Sequence, residues 1–263
     1  MPINSIHYAV ESSSIYETSS SLEIQGFSYS PFRSSGPIGG ELATETSIRE
    51  DLTILKQLNV SHIRTYGVGL NQIKIPEIAH ELGISCATGV WIGTDHPTNL
   101  DEINLGLTMA NVSSTLIIGN EVLFSGALSE EQLIDYILYA KNKTTIPIAT
   151  AEPWYTWLDH PELAEVTDQI LIHIHPFWET EVLINESGAL FQANFTIKKY
   201  NQIKNAFPDK EIIITETGWP SSGRGDCTEE YQSQYFDALL PLLSQNYIKC
   251  YAFEAFDEPW KNE

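Results

Sequence analysis

Cysteine and positive charge are both scarce in this chain of 263 residues. Cys86, Cys227 and Cys250 are the only cysteines, an odd count that leaves at least one thiol unpaired. Cys86 falls inside an apparent strand and reads as a small core residue, while pairing of Cys227 with Cys250 stays open. Fourteen Lys and Arg stand against 35 Asp and Glu, a net charge of −21. Such a field repels nucleic acid and anionic membranes and disfavours an acidic polysaccharide. It serves solubility equally well. No apolar run is long enough to span a bilayer. The start, Met1-Pro2-Ile3-Asn4, has neither the basic nor the apolar region of a signal peptide. No internal linker, low-complexity segment or short repeat divides the chain.

What is present is ordinary for a globular enzyme: 42% hydrophobic and 19% charged residues. Residues 1–20 are polar and serine-rich and read as an N-terminal arm, leaving 21–263 as one domain. Strand signals fall at 22–29, 61–66, 84–91, 115–120, 146–151, 169–175, 211–216 and 247–254. Helical patterns lie between them. Ile48, Leu52, Leu55 and Leu58 share a face, as do Leu133, Ile134, Ile137 and Leu138, and Tyr231, Tyr235, Leu239 and Leu242. Pro76 suits a helix start, and Ser129 with Gln132 forms a capping-box pattern. Eight strands alternating with helices over about 250 residues predict an α/β fold, the (β/α)8 TIM barrel. A doubly wound open sheet is the alternative, weakened because no glycine-rich phosphate loop follows the first strand. The crossover 176–196 is the least regular and reads as a substrate loop.

Barrel chemistry sits at strand C-termini. Two buried-strand patterns end in glutamate: Leu116-Ile117-Ile118-Gly119-Asn120-Glu121 and Ile212-Ile213-Ile214-Thr215-Glu216. Paired carboxyls are what glycosidic cleavage requires, one protonated to serve the leaving oxygen and one ionised. Strands four and seven face each other across a barrel mouth. Glu152, Glu254, Asp257 and Glu258 are rival carboxylates that rank lower, because their clusters suit orienting Lys261 or Arg64 or holding sugar hydroxyls. All six tryptophans (Trp91, Trp154, Trp157, Trp178, Trp219, Trp260) fall at or just after strand ends. Packing accounts for about half of them; the rest predict an aromatic groove for a neutral sugar polymer.

His173 and His175 share one face of strand six. Zinc binding is one reading, but no third ligand is evident, so core or substrate hydrogen bonding is preferred. Five Asn-x-Ser/Thr triplets, at Asn59, Asn111, Asn142, Asn185 and Asn194, hint at a secreted eukaryotic protein.

Several strings in order resemble glycoside hydrolase family 17, the β-1,3-glucan-active barrels. They are Gly26-Phe27-Ser28-Tyr29-Ser30-Pro31, Ile63-Arg64-Thr65-Tyr66, Gly119-Asn120-Glu121, Thr150-Ala151-Glu152-Pro153-Trp154, His175-Pro176-Phe177-Trp178, Glu216-Thr217-Gly218-Trp219-Pro220-Ser221 and Phe253-Glu254-Ala255-Phe256-Asp257-Glu258-Pro259-Trp260-Lys261. The resemblance implies a retaining enzyme with Glu121 as acid/base and Glu216 as nucleophile. It implies substrate contacts from Tyr29, Arg64, Tyr66, Asn120, Glu152, Trp154, Trp157, His175, Trp178, Trp219 and Glu254, with no metal or organic cofactor. The segment 176–200 is too brief for the extra subdomain of plant members, so the chain is more similar to the fungal and bacterial branches. There, transfer of glucan chains with residual hydrolysis is expected; a predominantly hydrolytic endo-β-1,3-glucanase is the alternative and a non-catalytic glucan-binding barrel the remoter one. The expected partner is β-1,3-glucan or a laminarin-type oligosaccharide, bound by a monomer in the extracellular space or cell wall, without nucleic acid or membrane.

Overall fold

The computed structural model describes residues 26–179, 188–223 and 227–261; the polar arm expected at 1–20 lies outside them. Strands β1 (Gly26–Ser28), β2 (His62–Arg64), β3 (Ser85–Val90), β4 (Thr115–Asn120), β5 (Ile148–Pro153), β6 (Gln169–His173), β7 (Glu211–Thr217) and β8 (Lys249–Ala252) pair in parallel, and β8 closes on β1. Helices α1 (Glu45–Gln57), α2 (Lys74–Glu81), α3 (His96–Leu107), α4 (Glu130–Lys141), α5 (Thr156–Asp159), α6 (Glu162–Val166), α7 (Gly188–Ala206) and α8 (Glu229–Gln245) pack outside. The expected (β/α)8 barrel is what forms. Between β6 and α7 lies a 3-10 turn, Pro176–Trp178, in a crossover too short for a large subdomain.

Local sequence explains the helix starts. Thr44 caps α1 in a reciprocal box with Ser47, and Ser129 does the same for α4 with Gln132. Ile48, Leu52 and Leu55 are the buried stripe of α1. On α8 the buried stripe is Tyr235, Leu239 and Leu243, with Leu242 only half-buried. All three cysteines are buried, Cys86 and Cys250 as free thiols.

Strand residues alternate between two cores. Ala87, Ile117, Ala149, Ala151, Leu171, Ile213 and Tyr251 pack together inside the barrel. Their neighbours Leu116, Ile118, Ile148, Ile170, Ile172, Ile212 and Ile214 face the helices. Strict alternation would point Glu216 outward, because Ile213 points in. A β-bulge corrects this: Ile172 pairs with Ile214 but His173 pairs with Glu216, so Thr215 is an extra residue. The fourth strand repeats the device. Ile117 pairs with Ala149 and Asn120 with Ala151, one extra residue on β4, at Gly119 with φ +86°. A bulge next to a site re-aims the side chains that follow it, and here both strands that end in candidate catalytic glutamates carry one.

Candidate active site

Glu216 lies at the mouth of the barrel within a ring of donors. Arg64, fully buried, directs one guanidinium nitrogen to Glu216 Oε1 and the other to Asn120 Oδ1. The Tyr66 hydroxyl donates to Glu216 Oε1 at 3.0 Å, and the Arg64 guanidinium lies 4.1 Å from the centre of the Tyr66 ring. His175 Nε2 is 3.1 Å from Glu216 Oε2. The bare backbone of Gly89 lets the β2 end come this close: a Cβ there would sit 2.3 Å from the Thr65 carbonyl oxygen. Burial pushes the Glu216 carboxyl up, but His173, Arg64 and His175 outweigh it and hold it well below the usual carboxylate range. Glu216 is therefore an ionised group aimed into the mouth.

Glu121 follows the β4 bulge. Its backbone takes φ +54°, uncommon for a residue with a side chain, and its N–H donates to the Ala151 carbonyl at 2.8 Å. One imidazole connects it to Glu216. His173 Nδ1 lies 2.7 Å from Glu121 Oε1, and Nε2 of the same ring lies 3.5 Å from Glu216 Oε1. The two carboxyl groups thus share one mouth, with the His173 ring between them. Among the described residues no cluster of three or more His, Cys, Asp or Glu has the geometry to hold a metal ion.

The other expected binding residues divide. Arg64, Tyr66, Asn120 and His175 gather around Glu216. Trp178 is 63% exposed. The Trp154 indole N–H donates to Glu179 at 2.9 Å, with Lys199 over its ring at 4.2 Å. Glu254 sits beside Lys261 at 3.2 Å; burial and the neighbouring Glu258 charge, against Lys261, raise its carboxyl to about 9.

Four residues are not in the groove. Tyr29 is fully buried and its hydroxyl donates to Asp51 of α1 at 2.9 Å. Trp157 lies in α5, fully buried, and donates its indole N–H to the Leu171 carbonyl at 3.0 Å; it fills the core between strands and helices. Trp219 keeps 2% of its surface, with Phe177 and Tyr231 against it at ring separations of 5.2 and 5.0 Å. Glu152 follows Ala151, which faces the barrel interior, so its carboxylate turns the other way. It accepts the N–H groups of Leu123 at 2.9 Å and Phe124 at 3.2 Å, fixing the turn after Glu121. Burial, and to a lesser degree the Glu121 charge, raise the Glu152 carboxyl to about 7 despite those donors.

Sequence reading also missed residues. His173 entered with His175 as a zinc pair or, by preference, a core or substrate hydrogen-bonding group, and its contact with both carboxyls was not foreseen. Phe124 and Tyr155, at a ring separation of 6.0 Å, are exposed near the ends of β4 and β5; neither carries a sequence signal beyond being aromatic in a loop.

Known proteins are similar to this chain. A crystal structure of a glycoside hydrolase family 17 β-1,3-glucanosyltransferase from Rhizomucor miehei superposes with TM-score 0.74 at 26% identity, over 90% of this chain and 88% of that one. An active-site mutant of the Rhizomucor miehei β-1,3-glucanosyltransferase, in complex with laminaritriose, matches with TM-score 0.75 at 25% identity, over 89% and 88%. A probable glucan endo-1,3-β-glucosidase, btgC, of Aspergillus terreus is 28% identical over 90% of this chain. A probable β-glucosidase, btgE, of Aspergillus fumigatus is 25% identical over the same share. The chain spans only 40% and 42% of the length of these two relatives. The resemblance read from the motifs is borne out: the model of the BtgE/BtgC glycoside hydrolase domain matches residues 26–263, and the chain belongs to that family.

Proposed function

We propose that the protein is a retaining β-1,3-glucan transglycosylase with hydrolysis as its minor outcome. Glu216 attacks C1 of the bound glucosyl unit while Glu121 gives its proton to the departing glycosidic oxygen, so one C–O bond forms as the other breaks. The glycosyl-enzyme ester is then opened by a sugar hydroxyl or by water, whose proton returns to Glu121. The observation that carries this reading is the single imidazole that reaches both carboxyl groups, because it brings an acid/base candidate and an ionised carboxylate to one mouth, where both can address the same bond. An ionised Glu216 held by Arg64, Tyr66 and His175 is suited to nucleophilic attack. Asn120, beside it, is suited to hold the sugar 2-hydroxyl.

The exposed faces of Trp91, Phe124, Tyr155 and Trp178 favour transfer, since they offer apolar platforms to an acceptor chain near the mouth. Likeness to the btgC relative, a probable endo-glucosidase, favours hydrolysis instead, whereas likeness to the Rhizomucor miehei glucanosyltransferase favours transfer. The substrate class, the cell-wall or extracellular setting and a monomeric state belong to the same proposal. Among the described residues no helix is long and apolar enough to cross a membrane.

Product lengths test the reading. Linear β-1,3-oligosaccharides incubated with the protein should give products longer than the substrate alongside short ones, read by mass. Short products alone would make it an endoglucanase. No product at high protein concentration would refute the enzymatic reading.

A further inference from the structure

His173 is unlike the other groups in the site. It touches both carboxyls, is 2% exposed, and its Nε2 is buried with no hydrogen-bond partner. A buried polar nitrogen without a partner calls for an explanation. A carboxyl oxygen 2.7 Å from an imidazole nitrogen requires a proton between them, either on oxygen or on nitrogen. Both placements contain the same number of protons. The pair is one acid with two seats.

We infer that Glu121 and His173 form a proton-sharing dyad, in which the imidazole Nδ1 stores the proton that Glu121 delivers to the leaving oxygen. This rests on the acid/base reading of Glu121. With the dyad loaded, Nε2–H faces Glu216 and favours its ionised form. When the proton leaves for the glycosidic oxygen, Glu121 is a carboxylate facing the Nδ1 lone pair, and Nε2 keeps the remaining hydrogen. That arrangement is repulsive, so Glu121 becomes a better base for the acceptor hydroxyl in the second half-reaction. The hydroxyl's proton reloads the dyad and its oxygen closes the new bond to C1, so protons and electrons balance over the cycle.

The surrounding charges fit. From β7, Glu216 faces Nε2, and Arg64 and Tyr66 hold that carboxylate in turn. On β6 itself the His175 ring lies 6.3 Å away, edge to face. From the β5 side, Glu152 and Tyr155 both interact with the Glu121 charge. Glu152, raised to about 7 chiefly by burial, is largely neutral below neutral pH. Below that pH it therefore adds little negative charge beside the dyad.

His173→Gln and His173→Asn test the inference by leaving-group dependence. Two substrates are compared, a linear β-1,3-oligosaccharide, whose leaving sugar needs a proton, and 2,4-dinitrophenyl β-laminaribioside, whose leaving group needs none. The expected result is a fall of roughly 10²-fold in kcat/KM for the oligosaccharide, with the activated glycoside changed only a few-fold. The alkaline limb of the kcat/KM profile should move to lower pH, because the imidazole no longer offers the proton a second seat. Equal losses on both substrates, or an unmoved limb, would overturn the inference and leave His173 a structural residue. A wild-type protein that turns over neither substrate would instead refute the proposed function, and the dyad with it. Thermal melts show whether each variant folds; if the glutamine variant does not, the asparagine variant decides.

Discussion

Arg64 of β2 and Glu216 of β7 form an ion pair across the mouth of the barrel, and the arginine has no exposed surface. Removing one partner of such a pair leaves an uncompensated buried charge, at a cost of roughly 3–5 kcal/mol. Arg64→Gln should therefore lower unfolding stability in urea by about that amount. Glu216 has a depressed folded value, so its contribution is present above the unfolded value and is lost as pH falls through the folded one. Without Arg64 the acid limb of kcat/KM should move to higher pH. An unchanged limb with intact folding would show that Arg64 does not hold Glu216 ionised.

Glu152 should make stability depend on pH in the opposite sense. Its carboxyl is raised from the ordinary 4.5 to about 7, so the folded protein binds its proton more tightly than the unfolded chain. Stability from this group is fully present below about 4.5 and declines as pH rises towards 7. Glu152→Gln should flatten the fall in Tm over that window. It should also reduce kcat by loosening the turn at Leu123 and Phe124. A Tm slope identical to wild type would contradict the assignment.

Glu41 predicts an acid-side loss. Its carboxylate accepts the N–H groups of Arg33, Ser34, Ser35 and Gly36 at 2.8 to 3.0 Å. Burial acts against them, but the four donors lower the group to about 2. Its stabilisation is present above 4.5 and lost as pH falls towards 2. Glu41→Gln should abolish that part of the acid transition and speed amide hydrogen exchange at residues 34–36. Unaltered exchange would mean that the loop is held by something else.

Trp157 and Trp178 separate core from groove. Trp157→Phe loses the bond to the Leu171 carbonyl and part of a filled core, which should cost about 1–3 kcal/mol with kcat/KM unchanged on folded protein. Trp178→Ala should leave Tm in place and raise KM for oligosaccharides. The reverse pattern would overturn both placements.

The barrel itself was legible because β4, β6 and β7 carry apolar runs and strand signals alternate with helical patterns along the chain, and all eight strands form within a few residues of their expected positions. Glu121 and Glu216 were legible as carboxylates ending such runs. Facing was not. The resemblance put Glu152 and Trp157 in the groove, yet Glu152 follows the inward Ala151 and so points away, and Trp157, in α5, is buried in the core between strands and helices. Conversely, Glu216 reaches the mouth only because Thr215 is bulged out of register, a displacement no periodicity announces. The bridging role of His173 arises from three strands meeting, which no local pattern contains.

The central claim is a covalent bond at Glu216. Incubation with a 2-deoxy-2-fluoro β-laminaribioside bearing a dinitrophenyl leaving group, followed by intact-protein mass and peptide mapping, tests it directly. One glycosyl unit added per chain, on the peptide that contains Glu216 and absent in Glu216→Gln, is the predicted result. Turnover of β-1,3-glucan without any adduct, giving products of inverted configuration, or an adduct on another carboxylate would contradict it.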